Sequence, residues 1–148
     1  MDYTIAVEPR AEQATALVAG HVAHDGIPEF LGGAYTELMM VVPESAITGP
    51  PFARYDIDGD GFSIEAGFPV AEPVTPSGRV YSGRLPAGLV ASTLHVGSYS
   101  ALGAAYSALE TWLEDTGHTR AGRPWECYLD GPEVAEPRTV VCWPVAAA

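Results

Sequence analysis

The sequence predicts an α+β domain in which two pseudo-symmetric strand-helix-strand-strand units carry antiparallel sheet around a shared central cleft. Three observations predict it: an internal repeat, apolar residues at helical spacing once in each half, and hairpin chemistry near the end of each half. Gly49-Pro50-Pro51-Phe52-Ala53-Arg54-Tyr55 returns as Gly122-Arg123-Pro124-Trp125-Glu126-Cys127-Tyr128, an offset of 73 residues. Ala34-Tyr35 with Leu38 returns as Ala105-Tyr106 with Leu109 at 71, His21-Val22 as His95-Val96 at 74, and Phe68-Pro69-Val70 as Trp143-Pro144-Val145 at 75. Four matches in one order argue for halves of about 1–72 and 80–148. A half of roughly 70 residues buries little core by itself, so residues 1–148 are read as a single domain.

Each element has its own local cause. Residues 15–22 form an apolar strand, and a helix opens at Pro28, a favoured first helical position. Ile27, Phe30, Leu31, Ala34, Leu38 and Val42 recur at three- and four-residue spacing, which gives that helix one buried face. Gly32-Gly33 weakens it by roughly 1 kcal/mol per glycine relative to alanine, and Pro43 stops it. Residues 52–57 then return through Asp58-Gly59-Asp60-Gly61, strong hairpin chemistry, into 62–66. A Pro/Gly-rich connector over 72–88 includes a short edge strand at 80–85. In the second half, 90–96 is the strand and Ser98 the expected N-cap. Leu102, Tyr106, Leu109 and Leu113 form the helix stripe, and Gly117 is its stop. The closing hairpin joins 125–129 to 138–143 through a longer loop.

Composition narrows the function. Hydrophobic residues make up 47% and charged residues 18% of the 148, a globular balance. The net charge of −12 repels phosphate backbones, so no direct nucleic-acid binding is expected, and cations are drawn toward the surface. No apolar run reaches the ~20 residues of a membrane span. The Met1-Asp2-Tyr3-Thr4 start has no export signal, so a cytoplasmic location is expected. Cys127 and Cys142, on adjacent strands but not directly opposed, read as reduced buried thiols. His21, His24 and His95 lack a third ligand at metal spacing, and His95 reads as a polar strand-end residue. Asp56-Ile57-Asp58-Gly59-Asp60-Gly61 imitates a calcium loop, but its twelfth position is Gly67 rather than a bidentate glutamate, and its flanks are strands. No metal and no cofactor is expected.

Further residues carry a family resemblance. The stretch Gly49 to Tyr55, the run Glu65-Ala66-Gly67-Phe68-Pro69-Val70 and Leu85-Pro86-Ala87-Gly88 resemble GyrI-like domains. So do His95-Val96-Gly97-Ser98-Tyr99, Trp125-Glu126-Cys127-Tyr128 with Pro132, and Trp143-Pro144-Val145. Such domains are the effector-binding modules of AraC-type and MerR-type multidrug regulators and also occur alone, as in the DNA gyrase inhibitory protein. The resemblance implies a cleft that takes apolar, often cationic molecules, and a cleft glutamate that falls on Glu126. Some stand-alone relatives hydrolyse cyclopropane-bearing toxins with such a glutamate. The sequence begins and ends with this domain, so a stand-alone form without DNA-binding helices is expected.

The candidate site also follows from the repeat. Alternation puts Glu126 and Tyr128 on one strand face and Trp125 and Cys127 on the other. The sister face carries Ala53, Tyr55 and Ile57 against Ile64 and Phe62. It is apolar, whereas Phe52, Arg54, Asp56, Ser63 and Glu65 mark a more polar face. A carboxylate where the sister copy has alanine therefore belongs in a largely apolar setting, where it pairs with a cation, stays protonated or serves as acid or base. Tyr55, Tyr99, Tyr128 and Trp143 supply stacking surface for a flat or cationic ligand, while Tyr106 and Trp112 are assigned to helix packing. The leading expectation is a small-molecule ligand bound around Glu126. The alternatives are a hydrolase of electrophilic toxins using Glu126, and a protein-interaction module whose partner the sequence does not name.

Overall fold

Antiparallel pairing organises the computed structural model, which describes residues 3–59, 61–131 and 133–146. Asp60 of the expected turn and Pro132 of the family pattern lie outside the described residues. The elements are β1 (Ala6–Arg10), β2 (Gln13–Ala23), α1 (Ile27–Val41), β3 (Phe52–Asp58), β4 (Gly61–Pro69), β5 (Tyr81–Leu85), β6 (Gly88–Val96), α2 (Leu102–Thr116), β7 (Thr119–Arg120), β8 (Trp125–Tyr128) and β9 (Arg138–Ala146). Among the described residues two α-helices with antiparallel strands make the fold α+β. The chain divides into two compact units, Glu12–Pro86 and Ala87–Ala148 with Met1–Ala11.

In the Glu12–Pro86 unit the strand order is β3-β4-β2-β5. Pro28 stands in the first turn of α1, and the helix ends where Val42 turns extended before Pro43 while its N–H still reaches the Leu38 carbonyl at 2.8 Å. Ala34 and Leu38 pack with Ala16, Val18, Ala66 and Phe68, so the helix covers one face of the sheet. The β3–β4 register sets Tyr55 opposite Ile64 and Ile57 opposite Phe62, as the Asp-Gly turn implies. Gly59 takes φ 62°, the left-handed conformation such a hairpin turn demands. Two details differ from the expected split into an apolar and a polar face. Ile57 is 77% exposed, and Phe52 is buried beside an Arg54–Glu65 ion pair of 3.7 Å. Each side chain's burial depends on what lies over it, which alternation alone does not say.

In the other unit the order is β1-β6-β9-β8, with β7 also on β9. Leu102, Ala105, Leu109 and Leu113 of α2 pack on Ala91, Val141 and Val145. Gly117 closes the helix at φ 74°. Ser98 caps a short 3-10 turn, Tyr99–Ala101, by accepting from the Ser100 N–H at 3.2 Å; α2 itself starts three residues later than that cap implied. The division between units falls at different residues from the halves read in the repeat. β1, which sequence periodicity did not show, pairs with β6, and β5 is the edge partner of β2. Pairing partners, not repeat copies, decide to which unit a terminal strand belongs. No helix among the described residues is long and apolar enough to cross a membrane.

Candidate functional site

Side chains directly opposite one another across an antiparallel ladder share a sheet face. In the Ala87–Ala148 unit Glu126 stands opposite Val141, which stands opposite Thr93; Tyr128 stands opposite Thr139, which stands opposite His95. Val141 belongs to the cluster under α2, so these two rows lie on the helix-covered face. Among the described residues the buried polar or charged ones are Thr15, Thr93, His95, Glu126 and Thr139, and all but Thr15 stand on this face. Burial of polar groups costs free energy unless they are bonded, which marks this face as specialised.

Glu126 is 8% exposed. One carboxylate oxygen accepts a hydrogen bond from the Tyr106 hydroxyl at 2.6 Å, and the other accepts from Tyr128 at 2.8 Å. Burial holds its pKa above the ordinary carboxylate range, while the Tyr106 and Tyr128 hydroxyls and the field of His95 pull it down only partway. The chain's basic side chains are all arginine, and among the described residues none is ion-paired with Glu126. The group therefore binds a proton more tightly than an exposed glutamate does, and it gains most from a cation brought against it.

The aromatic side chains extend outward from this carboxylate. Tyr99 meets Tyr128 edge-on at 6.0 Å between centroids, and its hydroxyl donates to the Asp130 carbonyl. Tyr106 meets Trp143 edge-on at 5.9 Å, and the Trp143 indole N–H donates to the Gly122 carbonyl. The Arg120 guanidinium lies over the Trp143 ring at 4.8 Å, an arrangement already of the cation–aromatic kind. The structure thus brings Glu126, Tyr99, Tyr128 and Trp143 into one connected cluster. Tyr55 belongs to the Glu12–Pro86 unit, where it packs edge-on against Phe62.

Two residues play parts that the sequence reading missed. Tyr106, assigned there to packing, is a direct partner of Glu126. The repeat held the signal: its sister Tyr35 donates to the Phe52 carbonyl at 2.6 Å, so each helix tyrosine reaches the first strand of its half's closing hairpin, β3 for Tyr35 and β8 for Tyr106. Where the first copy has Ala53 the hydroxyl meets backbone, and where the second has Glu126 it meets a carboxylate. His95, expected as a polar strand-end residue, is buried at 2% exposure. The Ser98 carbonyl, which can only accept, faces His95 Nε2 at 2.9 Å, so Nε2 carries a proton, and Nδ1 faces the Tyr3 hydroxyl at 2.8 Å. Among the described residues no group of three His, Cys, Asp or Glu side chains is placed to hold a metal ion.

Tyr106→Phe is expected to raise the Glu126 pKa further, because it removes a hydrogen bond made to the charged form. Carboxyl-carbon NMR titration of both proteins reads the shift; an unchanged or lowered value would separate Tyr106 from the carboxylate.

The α+β fold thus carries a buried, tyrosine-bonded carboxylate in its Ala87–Ala148 unit. The chain belongs to the GyrI-like small molecule binding domain family, whose model matches residues 8–146. No curated protein matches it. Among solved structures, the EcmrR C-terminal domain is similar at 23% identity over 100% of both chains, with a TM-score of 0.87. A hydrolase from Listeria innocua is similar at 18% identity over 96% of this chain and 91% of that one, with a TM-score of 0.70. SAV2435 bound to tetraphenylphosphonium is similar at 13% identity over 99% and 94%, with a TM-score of 0.68. At these identities the likeness is one of fold.

Proposed function

We propose that this domain binds apolar or aromatic organic cations at Glu126, with Tyr99, Tyr106, Tyr128 and Trp143 as the aromatic surroundings. The observation that carries this reading is a nearly buried carboxylate held by two tyrosine hydroxyls and paired with no arginine among the described residues. A ligand cation repays the desolvation of such a group, and aromatic faces favour the same charge. The fold likeness to a protein that holds tetraphenylphosphonium supports the choice of that cation as the probe. The −12 charge further favours cations and disfavours duplex DNA as a direct partner of this domain.

Calorimetric titration tests the reading. Tetraphenylphosphonium is expected to bind at least tenfold more tightly than neutral triphenylphosphine oxide; equal affinities would remove the charge from the recognition. The affinity also carries a pH signature. Proton and cation compete for Glu126, so binding weakens as pH falls through its raised pKa, by up to about tenfold per pH unit below it. A flat profile from neutral pH down to the ordinary carboxylate range would point to a different anchor.

The raised proton affinity of Glu126 favours a second reading, a hydrolase acting on electrophilic toxins, since a general acid or base is most effective with a pKa near working pH. A compound screen read by mass spectrometry separates the two. Ligand retained unchanged means a receptor, and a product heavier by one water means an enzyme.

A further inference from the structure

On the sheet face opposite Glu126, the ladder sets Trp125 against Cys142 and Cys127 against Val140, so the two cysteines form a diagonal pair on adjacent strands. Both are free; Cys142 is buried and Cys127 half-buried. Arg10, at the end of β1 in the same unit, brings Nη1 to 3.9 Å from the Cys142 sulfur. We propose that Cys127 and Cys142 form a hydroperoxide-responsive thiol pair, in which Cys127 is oxidised first and Cys142 closes a reversible disulfide.

The chemistry balances with one peroxide. The Cys127 thiolate attacks a peroxide oxygen, the O–O bond breaks, hydroxide leaves, and Cys127 becomes a sulfenic acid. The Cys142 sulfur then attacks Cys127, displacing hydroxide, which takes up the proton that Cys142 loses and departs as water. Two thiols and one hydrogen peroxide yield one disulfide and two waters.

The order of events rests on the surroundings of each sulfur. The thiolate is the reactive form. The neighbouring Cys142 thiol and the charge of Arg10 pull the Cys127 pKa down against burial and the nearby Glu126. The partnership with Cys127 and burial push the Cys142 thiol up, with Arg10 opposing. Exposure runs the same way: the half-buried residue, Cys127, meets the oxidant, and the buried one, Cys142, is kept for the second step.

Arg138 lies between the two cysteines, so trypsin separates them into different peptides. After one equivalent of hydrogen peroxide, the chain is expected to lose two hydrogens and to yield a Cys127–Cys142 linked peptide pair that dithiothreitol dissociates. In Cys142→Ser, dimedone should trap a sulfenic acid on Cys127; in Cys127→Ser, Cys142 should stay unmodified. Two unlinked peptides with both thiols still alkylatable, bonds between chains, or dimedone on Cys142 would overturn the proposal. Should a variant fail to fold, iodoacetamide labelling of the unsubstituted protein decides instead: Cys127 is expected to react at least tenfold faster, and equal or reversed rates overturn the assignment. The readout is mass alone and does not depend on what Glu126 binds.

Discussion

Glu126→Gln is expected to leave the fold intact and to weaken tetraphenylphosphonium binding by about 2–5 kcal/mol, because the ligand charge is left buried without its partner. That corresponds to roughly 30-fold to several thousand-fold in Kd. The amide keeps the shape of the side chain and can accept from one tyrosine hydroxyl while donating to the other. Stability should stay level or rise at neutral pH. Glu126 has a folded pKa above its unfolded value, so the native state binds the extra proton and this group's contribution to stability falls as pH rises between the two. Glutamine carries no such penalty, and any advantage over glutamate should fade below the ordinary carboxylate pKa. In the hydrolase reading the same substitution costs roughly 10²–10⁴ in rate. Melting temperature, affinity and turnover measured on one preparation separate these outcomes. Unchanged affinity and turnover would make Glu126 a bystander, and a collapse in melting temperature would make it a structural residue.

Leu109→Ala is expected to destabilise the Ala87–Ala148 unit by about 2–5 kcal/mol, the range for a fully buried leucine truncated to alanine. Leu109 has no exposed surface and packs with Ala91, Ala105, Val141 and Val145. The cavity would open between α2 and the strand that faces β8, one helical turn from Tyr106, so the carboxylate's support should loosen with it. Met40→Ala is the control: Met40 is 82% exposed on α1, and its truncation should change stability by less than about 0.5 kcal/mol. Urea unfolding of both variants tests the contrast, and a small loss at Leu109 would mean that α2 is not closely packed on the sheet.

Much of this fold is written in short-range pattern. Pro28, Pro43, Gly59 and Gly117 act through their own backbone conformations, so the ends of α1, the first hairpin and the end of α2 follow from a few residues each. The three- and four-residue stripes in both helices found their buried faces, and the Asp-Gly turn found the β3–β4 register. The β1 strand was not legible, because its Ala-Val-Glu-Pro-Arg sequence has no apolar alternation and it exists by pairing with β6.

Sequence by itself determined which residue types were available to a site: a glutamate where the repeat has alanine, a tyrosine two residues later, and tyrosines and tryptophans that could surround them. Tertiary structure decided what they became. Only the packing of α2 on the sheet sets the Tyr106 hydroxyl 2.6 Å from Glu126, and only the β6–β9–β8 ladder sets His95, Thr139 and Tyr128 in one row. The reason is physical: helix period and turn type are fixed by neighbours a few residues apart, whereas a buried carboxylate's proton affinity depends on desolvation and on partners supplied from other elements.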